Sequence, residues 1–282
     1  MIGKPEQAEK AAAFMAMHQG QDILVLPNAY DAISAALMAD AGARAIATTS
    51  GGCAFALGYP DGEKIPRALM LEAIGRMADA IELPLSADME AGFGESAEAV
   101  AETLLLTAEA GAVGINIEDS TKGGKRTLID FDLAVKRISA ARVAADSTGM
   151  QFVVNARTDA FAVTNDKAGA FDEAVKRANA YFEAGADCAF VIGVRDGDTI
   201  GRLAQEIRGP LNILAGPGSP SVAELAALGV KRVTVGSSFA KAAMTLVQKG
   251  AQELLREGTY GFAEGALGQP DINRALEGKR AD

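Results

Sequence analysis

Short β-prone apolar runs alternate along this chain with longer Ala-rich stretches whose apolar residues fall at helical spacing. Four of the runs follow one recurring phrase, a helix-like stretch that ends in Gly between small or branched residues. These are Ala41-Gly42-Ala43 before Ala45 to Thr49, Ala110-Gly111-Ala112 before Gly114 to Glu118, Ala184-Gly185-Ala186 before Cys188 to Ile192, and Leu228-Gly229-Val230 before Arg232 to Gly236. Each Gly suits a helix C-terminal cap, where the backbone turns left-handed. Four more runs, Ile23 to Pro27, Pro84 to Asp88, Phe152 to Ala156 and Leu211 to Ala215, each lead into a polar or Gly/Pro loop and another helical stretch. Strict alternation implies parallel strands joined by helical crossovers, and eight such units predict an α/β fold of the (β/α)8 TIM-barrel type. The competitor is a doubly wound open sheet, but no Gly-x-Gly-x-x-Gly follows the first run. Residues 5–20 predict a leading helix, and the chain beyond Leu255 a loop with one or two short helices. No linker or low-complexity segment interrupts the pattern, so residues 1–282 read as one barrel domain.

Composition narrows the partners. The chain is 49% hydrophobic and 23% charged, with a net charge of −10 and a pI near 4.8. Basic runs are missing, which argues against nucleic acid or an anionic membrane as partner, and an anionic substrate would have to be met by locally placed cations. Cys53 and Cys188 show neither metal nor redox spacing. With no export-type N-terminal pattern and no apolar window near ~18 residues, the expectation is a cytoplasmic enzyme.

In a barrel of this type the chemistry sits at the carboxyl ends of the strands. Ile81 to Leu85 leads there into Ser86-Ala87-Asp88-Met89-Glu90-Ala91-Gly92-Phe93-Gly94, and alternation on a strand would project Ser86, Asp88 and Glu90 to one face. Neighbouring carboxylates repel unless neutralised, so the stretch reads as a site for a hard divalent cation such as Mg²⁺, or else as a surface turn with solvated acids. The first strand ends at Asn28, with Tyr30 and Asp31 just after. The fourth places Asn116 and Glu118 inward, and the fifth ends in Asn155, Arg157 and Asp159. Arg157 would clamp a substrate carboxylate through two parallel hydrogen bonds, or pair with Glu118 or Asp159 to hold the rim. Ser50-Gly51-Gly52 offers backbone N–H groups to an anion, or forms a plain βα turn. Gly216-Pro217-Gly218 stands where barrel phosphate sites often lie, but holds no Lys or Arg. His18, the single histidine, lies in the leading helix, which argues against a histidine triad or a His-rich zinc site and leaves an oxygen-ligand metal. Cys53 reads as a small buried thiol.

Together these motifs resemble the isocitrate lyase and phosphoenolpyruvate mutase superfamily over most of the chain. Ser50-Gly51-Gly52 matches its substrate-carboxylate loop, Pro60-Asp61 its Pro-Asp after the second strand, and Asp88-Met89-Glu90-Ala91-Gly92-Phe93-Gly94 its Asp-x-Asp-x-Gly-[Tyr/Phe]-Gly, with Glu90 for the second Asp. Glu118-Asp119 matches the Glu-Asp after the fourth strand, and Arg157 the fifth-strand arginine. The resemblance implies Mg²⁺, with Mn²⁺ as substitute, held directly by Asp88 and largely through water by Asp61, Glu90 and Glu118. It also implies a 2-oxo carboxylate on the metal, catalytic roles for Arg157, Glu118 and Asp61, and substrate contacts from Ser50, Gly51, Gly52, Tyr30 and Arg157. Homodimers or homotetramers with a swapped C-terminal helix complete the expectation.

One segment departs from the isocitrate and methylisocitrate lyases, whose lid carries Lys-[Lys/Arg]-Cys-Gly-His. Here the lid reads Ser120-Thr121-Lys122-Gly123-Gly124-Lys125-Arg126-Thr127, without Cys or His. An enolate formed by decarboxylating an oxaloacetate-like acid, or by cleaving a related 2-oxo or 2-hydroxy acid, needs no lid thiol. Phosphonate carbon–phosphorus chemistry, with Ser120 or Thr121 as nucleophile, is the alternative, followed by a methylisocitrate-like lyase, a metal-water hydrolase and a non-catalytic dicarboxylate binder. The lid, Asp119 to Thr127, is expected either to close over an anion with Lys122, Lys125 and Arg126 or to remain a solvated basic loop.

Overall fold

The computed structural model of the chain describes residues 5–121 and 126–277. Nine parallel strand segments make one sheet: β1 (Leu24–Leu26), β2 (Asn28–Ala29), β3 (Ile46–Thr48), β4 (Leu85–Asp88), β5 (Gly114–Glu118), β6 (Val153–Thr158), β7 (Cys188–Val191), β8 (Leu211–Leu214) and β9 (Arg232–Thr234). The order β1-β9-β8-β7-β6-β5-β4-β3-β2 closes on itself, because β1 and β2 are two halves of a single barrel strand interrupted at Pro27. The first half pairs with β9 and the second with β3, so proline, which has no N–H to give, stands where the strand changes partner. The eight-strand barrel expected from the pattern is therefore the observed fold.

Local chemistry accounts for the elements. Strands buried on both faces read as nearly unbroken apolar runs, as in Leu211–Leu214 and Cys188–Val191. Gly42, Gly111, Gly185 and Gly229, the glycines of the recurring phrase, have φ of 92°, 96°, 99° and 93°, the left-handed turn that ends each preceding helix. Helices begin on side-chain caps, for example Ser96 before α5 (Ala97–Glu109) and Asp130 before α6 (Phe131–Ser147). The fifth-strand run extends further than its apolar core suggests: β6 continues to Thr158, so Arg157 lies within the sheet, opposite Glu118 on β5 and Phe190 on β7.

The leading helix α1 (Pro5–Gln19) packs Ala11 and Phe14 into the core. Its His18 meets Arg232 of β9, which is fully buried inside the barrel. The Arg232 guanidinium lies 5.9 Å from the Phe14 ring centroid and reaches Ser86 Oγ at 3.4 Å and Asn116 Oδ1 at 3.3 Å. Burial draws its pKa down to about 10. Burial, then the Arg232 charge, pushes His18 down to about 3. A neutral imidazole donating from Nδ1 to Phe14 O at 2.8 Å leaves Nε2 to accept from Arg232 at 3.3 Å.

At the other end of the chain, α11 (Ser238–Arg256) leaves Phe239, Leu246, Val247 and Leu255 exposed, and an apolar groove of about 800 Å³ runs between it and α2 (Ala32–Asp40). A 3₁₀ turn (Gly261–Ala263) and α12 (Gln269–Glu277), which packs on α2, are the short helical pieces expected beyond Leu255. No helix among the described residues is long and apolar enough to cross a membrane.

Because His18 binds its proton far more weakly in the folded chain than in the unfolded one, stability is present above the unfolded value near 6.5 and is lost as pH falls from there toward about 3. The expected loss is about 1 kcal/mol per pH unit in that window, and a His18→Asn variant, melted in urea from pH 7 to 4, should show a flatter dependence than the parent.

Candidate functional site

At the carboxyl ends of the strands a cavity of about 240 Å³ opens, with Asp61, Asp88, Ser50, Gly51 and Arg157 on its wall. Asp88 ends β4, and its backbone N–H donates to Thr48 Oγ1 at 2.8 Å. Its Oδ2 accepts from Ser50 N at 3.1 Å and Ser50 Oγ at 2.9 Å, whereas its Oδ1 is buried and has no hydrogen-bond partner among the described residues. A buried carboxylate oxygen left unpaired costs free energy unless something else satisfies it.

Glu90 does not continue the strand. With φ of 51°, it opens a turn in which Gly92 and Phe93 also have positive φ, and its Oε1 accepts from Glu63 N at 2.9 Å. Glu63, itself at φ 56°, returns the contact through Oε1 to Ala91 N at 3.0 Å and Phe93 N at 2.9 Å. This reciprocal clasp ties the Pro60-Asp61 loop to the end of β4, so Glu90 faces that loop rather than the cavity expected from alternation. Left-handed backbone at non-Gly residues is strained and persists where surrounding contacts enforce it.

Arg157 lies at the centre of an ion network. Its Nη1 pairs ionically with Glu118 Oε2 at 2.7 Å, its Nε donates to Asp159 Oδ1 at 2.8 Å, and Phe190 covers its face at 5.8 Å. Burial opposes its charge, but Glu118, Asp159 and Asp88 outweigh that and raise its pKa. Burial alone would raise Asp159, yet Arg157 and Arg126 hold it below the usual carboxylate value. Arg157 therefore braces the rim, as one of the two sequence readings has it, and its side chain also lines the cavity. Two of its nitrogens, Nε and Nη1, are engaged by Asp159 and Glu118. Glu118, 2% exposed, is turned to Arg157 and does not line it.

Ser50-Gly51-Gly52 is the first turn of α3 (Ser50–Ala56), capped by Thr49, not an open anion loop. Its glycines answer to packing: a Cβ on Gly51 would lie 3.0 Å from the Asp61 carboxylate, and one on Gly52 only 2.6 Å from Thr49 Cγ2 and 2.8 Å from Tyr30 Cβ. Gly52 and Tyr30 do not line the cavity; Tyr30 borders the apolar groove beside α11. Among the described residues no group of three or more His, Cys, Asp or Glu is spaced to hold a metal ion as the side chains stand.

Two cations in the other half of the rim were not anticipated, Arg195 after β7 and Lys241 in α11. Arg195 Nη1 donates to Pro217 O at 3.1 Å, so the Gly216-Pro217-Gly218 loop has an arginine supplied from a neighbouring strand. A lysine in the first turn of a helix runs against the helix dipole, and this was the available signal for Lys241. Of the lid, Lys122, Gly123, Gly124 and Lys125 lie outside the described residues. Arg126 pairs with Asp159 and, at 3.7 Å, with Glu118. Ser120 is fully buried, donates to Asp159 and lines a separate cavity beside Glu63 and Arg137. Asp119 accepts from Tyr181 Oη at 2.7 Å and Arg177 Nη1 at 3.3 Å, holding the start of the lid to α8 (Lys167–Glu183).

A family model described as phosphoenolpyruvate phosphomutase matches residues 14–255. The oxaloacetate decarboxylase of Chromohalobacter salexigens is 31% identical over 266 residues, covering 91% of this chain and 88% of the relative. A crystallised protein of Burkholderia cenocepacia J2315 superimposes with a TM-score of 0.90 at 41% identity, over 96% of each chain. Phosphonopyruvate hydrolase, solved with oxalate and Mg²⁺, gives 0.84 at 26% identity, again over 96% of each chain.

Gly52→Ala should destabilise the chain by about 1–3 kcal/mol, since the added methyl meets packed atoms that cannot yield. Gly51→Ala meets the movable ends of Asp61 and Ser237 and should cost less; urea unfolding of the two variants measures the difference. Burial, with Asp88 adding to it, pushes the Cys53 thiol up to about 12, and burial does the same at Cys188. Iodoacetamide at pH 8 should therefore label neither cysteine in the folded protein, as read by mass spectrometry, and should leave any activity intact.

Proposed function

Because the chain belongs to the phosphoenolpyruvate phosphomutase family, we propose that it is a Mg²⁺-dependent lyase acting on a small 2-oxo or 2-hydroxy di- or tricarboxylic acid, through an enolate, in the manner of an oxaloacetate decarboxylase. The observation that carries this reading is the buried Oδ1 of Asp88, unpartnered among the described residues, on the wall of a cavity that Asp61 and Arg157 also line. An oxygen-ligand cation fits such an atom. Asp88 would hold Mg²⁺ or Mn²⁺ directly, and Asp61, Glu90 and Glu118 would act largely through water. When bound, the ion supplies Lewis-acid polarisation of the substrate carbonyl, which lowers the barrier to enolate formation.

The remaining work falls to the chain itself. Ser50 holds Asp88 by two hydrogen bonds, and the Glu63–Glu90 clasp positions Asp61. Arg157, kept charged by Glu118 and Asp159, presents its guanidinium to the carboxylate or to the negative charge that develops beside it. Arg195 and Lys241 bring positive charge to the far side, matching a second acidic group. We further propose that the protein works in the cytoplasm as a homodimer or homotetramer, using the exposed apolar residues of α11.

The phosphonate reading gains from Arg195 and Lys241, which place cations beside Gly216 and Gly236. It loses from Ser120, whose hydroxyl is buried, engaged by Asp159 and away from this cavity.

A screen of oxaloacetate, substituted malates, methylisocitrate and phosphonopyruvate with Mg²⁺ tests the proposal. The expected product is pyruvate or a related 2-oxo acid, and release of phosphate with no carbon–carbon cleavage would select the phosphonate reading. Asp88→Ala should abolish metal binding in a calorimetric titration at modest cost to folding. Arg157→Lys keeps the charge but cannot span Glu118, Asp159 and substrate together, so kcat/KM should fall by about ten-fold or more.

A further inference from the structure

A second and larger cavity, about 730 Å³, lies beside the first on the same end of the barrel. Its walls come from three segments: Phe161 in α7 (Ala160–Val163), Lys167 and Phe171 at the start of α8, and the loop after β7 with Arg195, continuing into Arg202 of α9 (Gly197–Glu206). Nothing in the proposed chemistry uses it. Three cations face it, and neither Lys167 nor Arg202 has an ion-pair partner within 4.0 Å among the described residues. Arg202 is steadied instead by stacking 4.1 Å over the Phe171 ring. Two acids share the wall, Asp172 and Asp196. Asp196 is already committed, since its carboxylate caps α9 by accepting from Thr199 N at 2.9 Å.

The two cavities share one residue, Arg195. Its guanidinium donates to Pro217 O, on the rim of the catalytic cavity, and is otherwise exposed. Gly193, at φ 85°, forms the turn before it; a Cβ there would lie 3.1 Å from Phe161 Cβ, so the strand end packs closely against α7 in the wall of the larger cavity.

We propose that the larger cavity is a second, non-catalytic site for a small polyanion bearing two or more carboxylate or phosphate groups, held by Lys167, Arg195 and Arg202. Its occupant draws Arg195 away from Pro217 and removes a cation from the catalytic rim, so it opposes binding of an anionic substrate. By linkage, an anion in the catalytic cavity weakens binding in the second to the same extent.

The site itself can be read without turnover, whereas the coupling rests on the metal-and-carboxylate reading above. Benzene-1,3,5-tricarboxylate is a suitable probe, because its groups are too far apart to chelate Mg²⁺ together. Calorimetric titration of the metal-free protein should show one saturable site, weakened about ten-fold by Arg202→Leu or by Lys167→Ala and largely retained by Arg202→Lys. All three changes fall at exposed positions, and equal melting temperatures will verify the fold. Inorganic phosphate titrated in parallel separates the ligand sources: a phosphate ester is indicated if it competes more strongly per charge than the tricarboxylate, a polycarboxylate if less. Adding saturating Mg²⁺ and oxalate should then weaken tricarboxylate binding in the parent protein. Absence of saturable binding, or binding that both Arg202→Leu and Lys167→Ala leave unchanged, overturns the site. Saturable binding that Mg²⁺ and oxalate do not affect, with oxalate itself shown to bind, overturns the coupling.

Discussion

The Arg157 guanidinium, half-buried between the buried carboxylates of Glu118 and Asp159, is the interaction on which the upper half of the barrel depends. Two carboxylates taken out of water would be costly without an opposite charge in contact, and removing one partner of such a group leaves the others uncompensated. The register of the sheet supplies the contact, because β5 and β6 place Glu118 and Arg157 side by side. Arg126, returning from the lid, adds a second cation to the same pair of acids. The segment after β5 is thereby linked to a residue that lines the cavity. This also explains why Arg157 cannot offer its whole fork to a ligand: two of its three nitrogens are already holding the rim.

Below that network the barrel interior is unusually polar for a packed core. Asn116, Asn155, Ser86, Arg232 and Thr234 are all buried there, and Asn155 donates to Asn116 at 2.7 Å. Arg232 is a cation in this layer with no ion-pair partner among the described residues; it is supported by hydroxyl and amide oxygens, the His18 ring nitrogen and the Phe14 face. Above, the Glu63–Glu90 clasp fixes a loop that would otherwise hang free, and so converts a remote carboxylate, Asp61, into part of the cavity wall. The cavity is thus built from rigid strand ends on one side and a pinned loop on the other, which is how a site is held to catalytic tolerance.

The barrel was legible because its signal is repeated: four glycine-ended helices and eight β-prone runs carry the same information many times over, and the observed strands fall within about two residues of those runs. Asp88, Asp61, Ser50, Gly51 and Arg157 were legible as residues with charge or backbone freedom at strand ends, and they do gather around one cavity. Alternation failed at Glu90 because the strand stops at Asp88 and a left-handed turn intervenes, which period-two reasoning cannot see. Gly52 and Tyr30 were read as ligand-facing when their conspicuous feature is close packing against each other. Arg195 and Lys241 escaped notice because they belong to elements far along the chain, and only closure of the barrel brings them opposite Asp61 and Asp88.

The central claim is that this site stabilises an enolate, and proton exchange tests it without knowledge of the natural substrate. Pyruvate incubated in D₂O with the protein and Mg²⁺ should lose its methyl proton signal by NMR faster than with Mg²⁺ alone, and the excess rate should vanish with chelator or in the Asp88→Ala variant. Exchange no faster than the metal-only rate at saturating pyruvate would contradict the account.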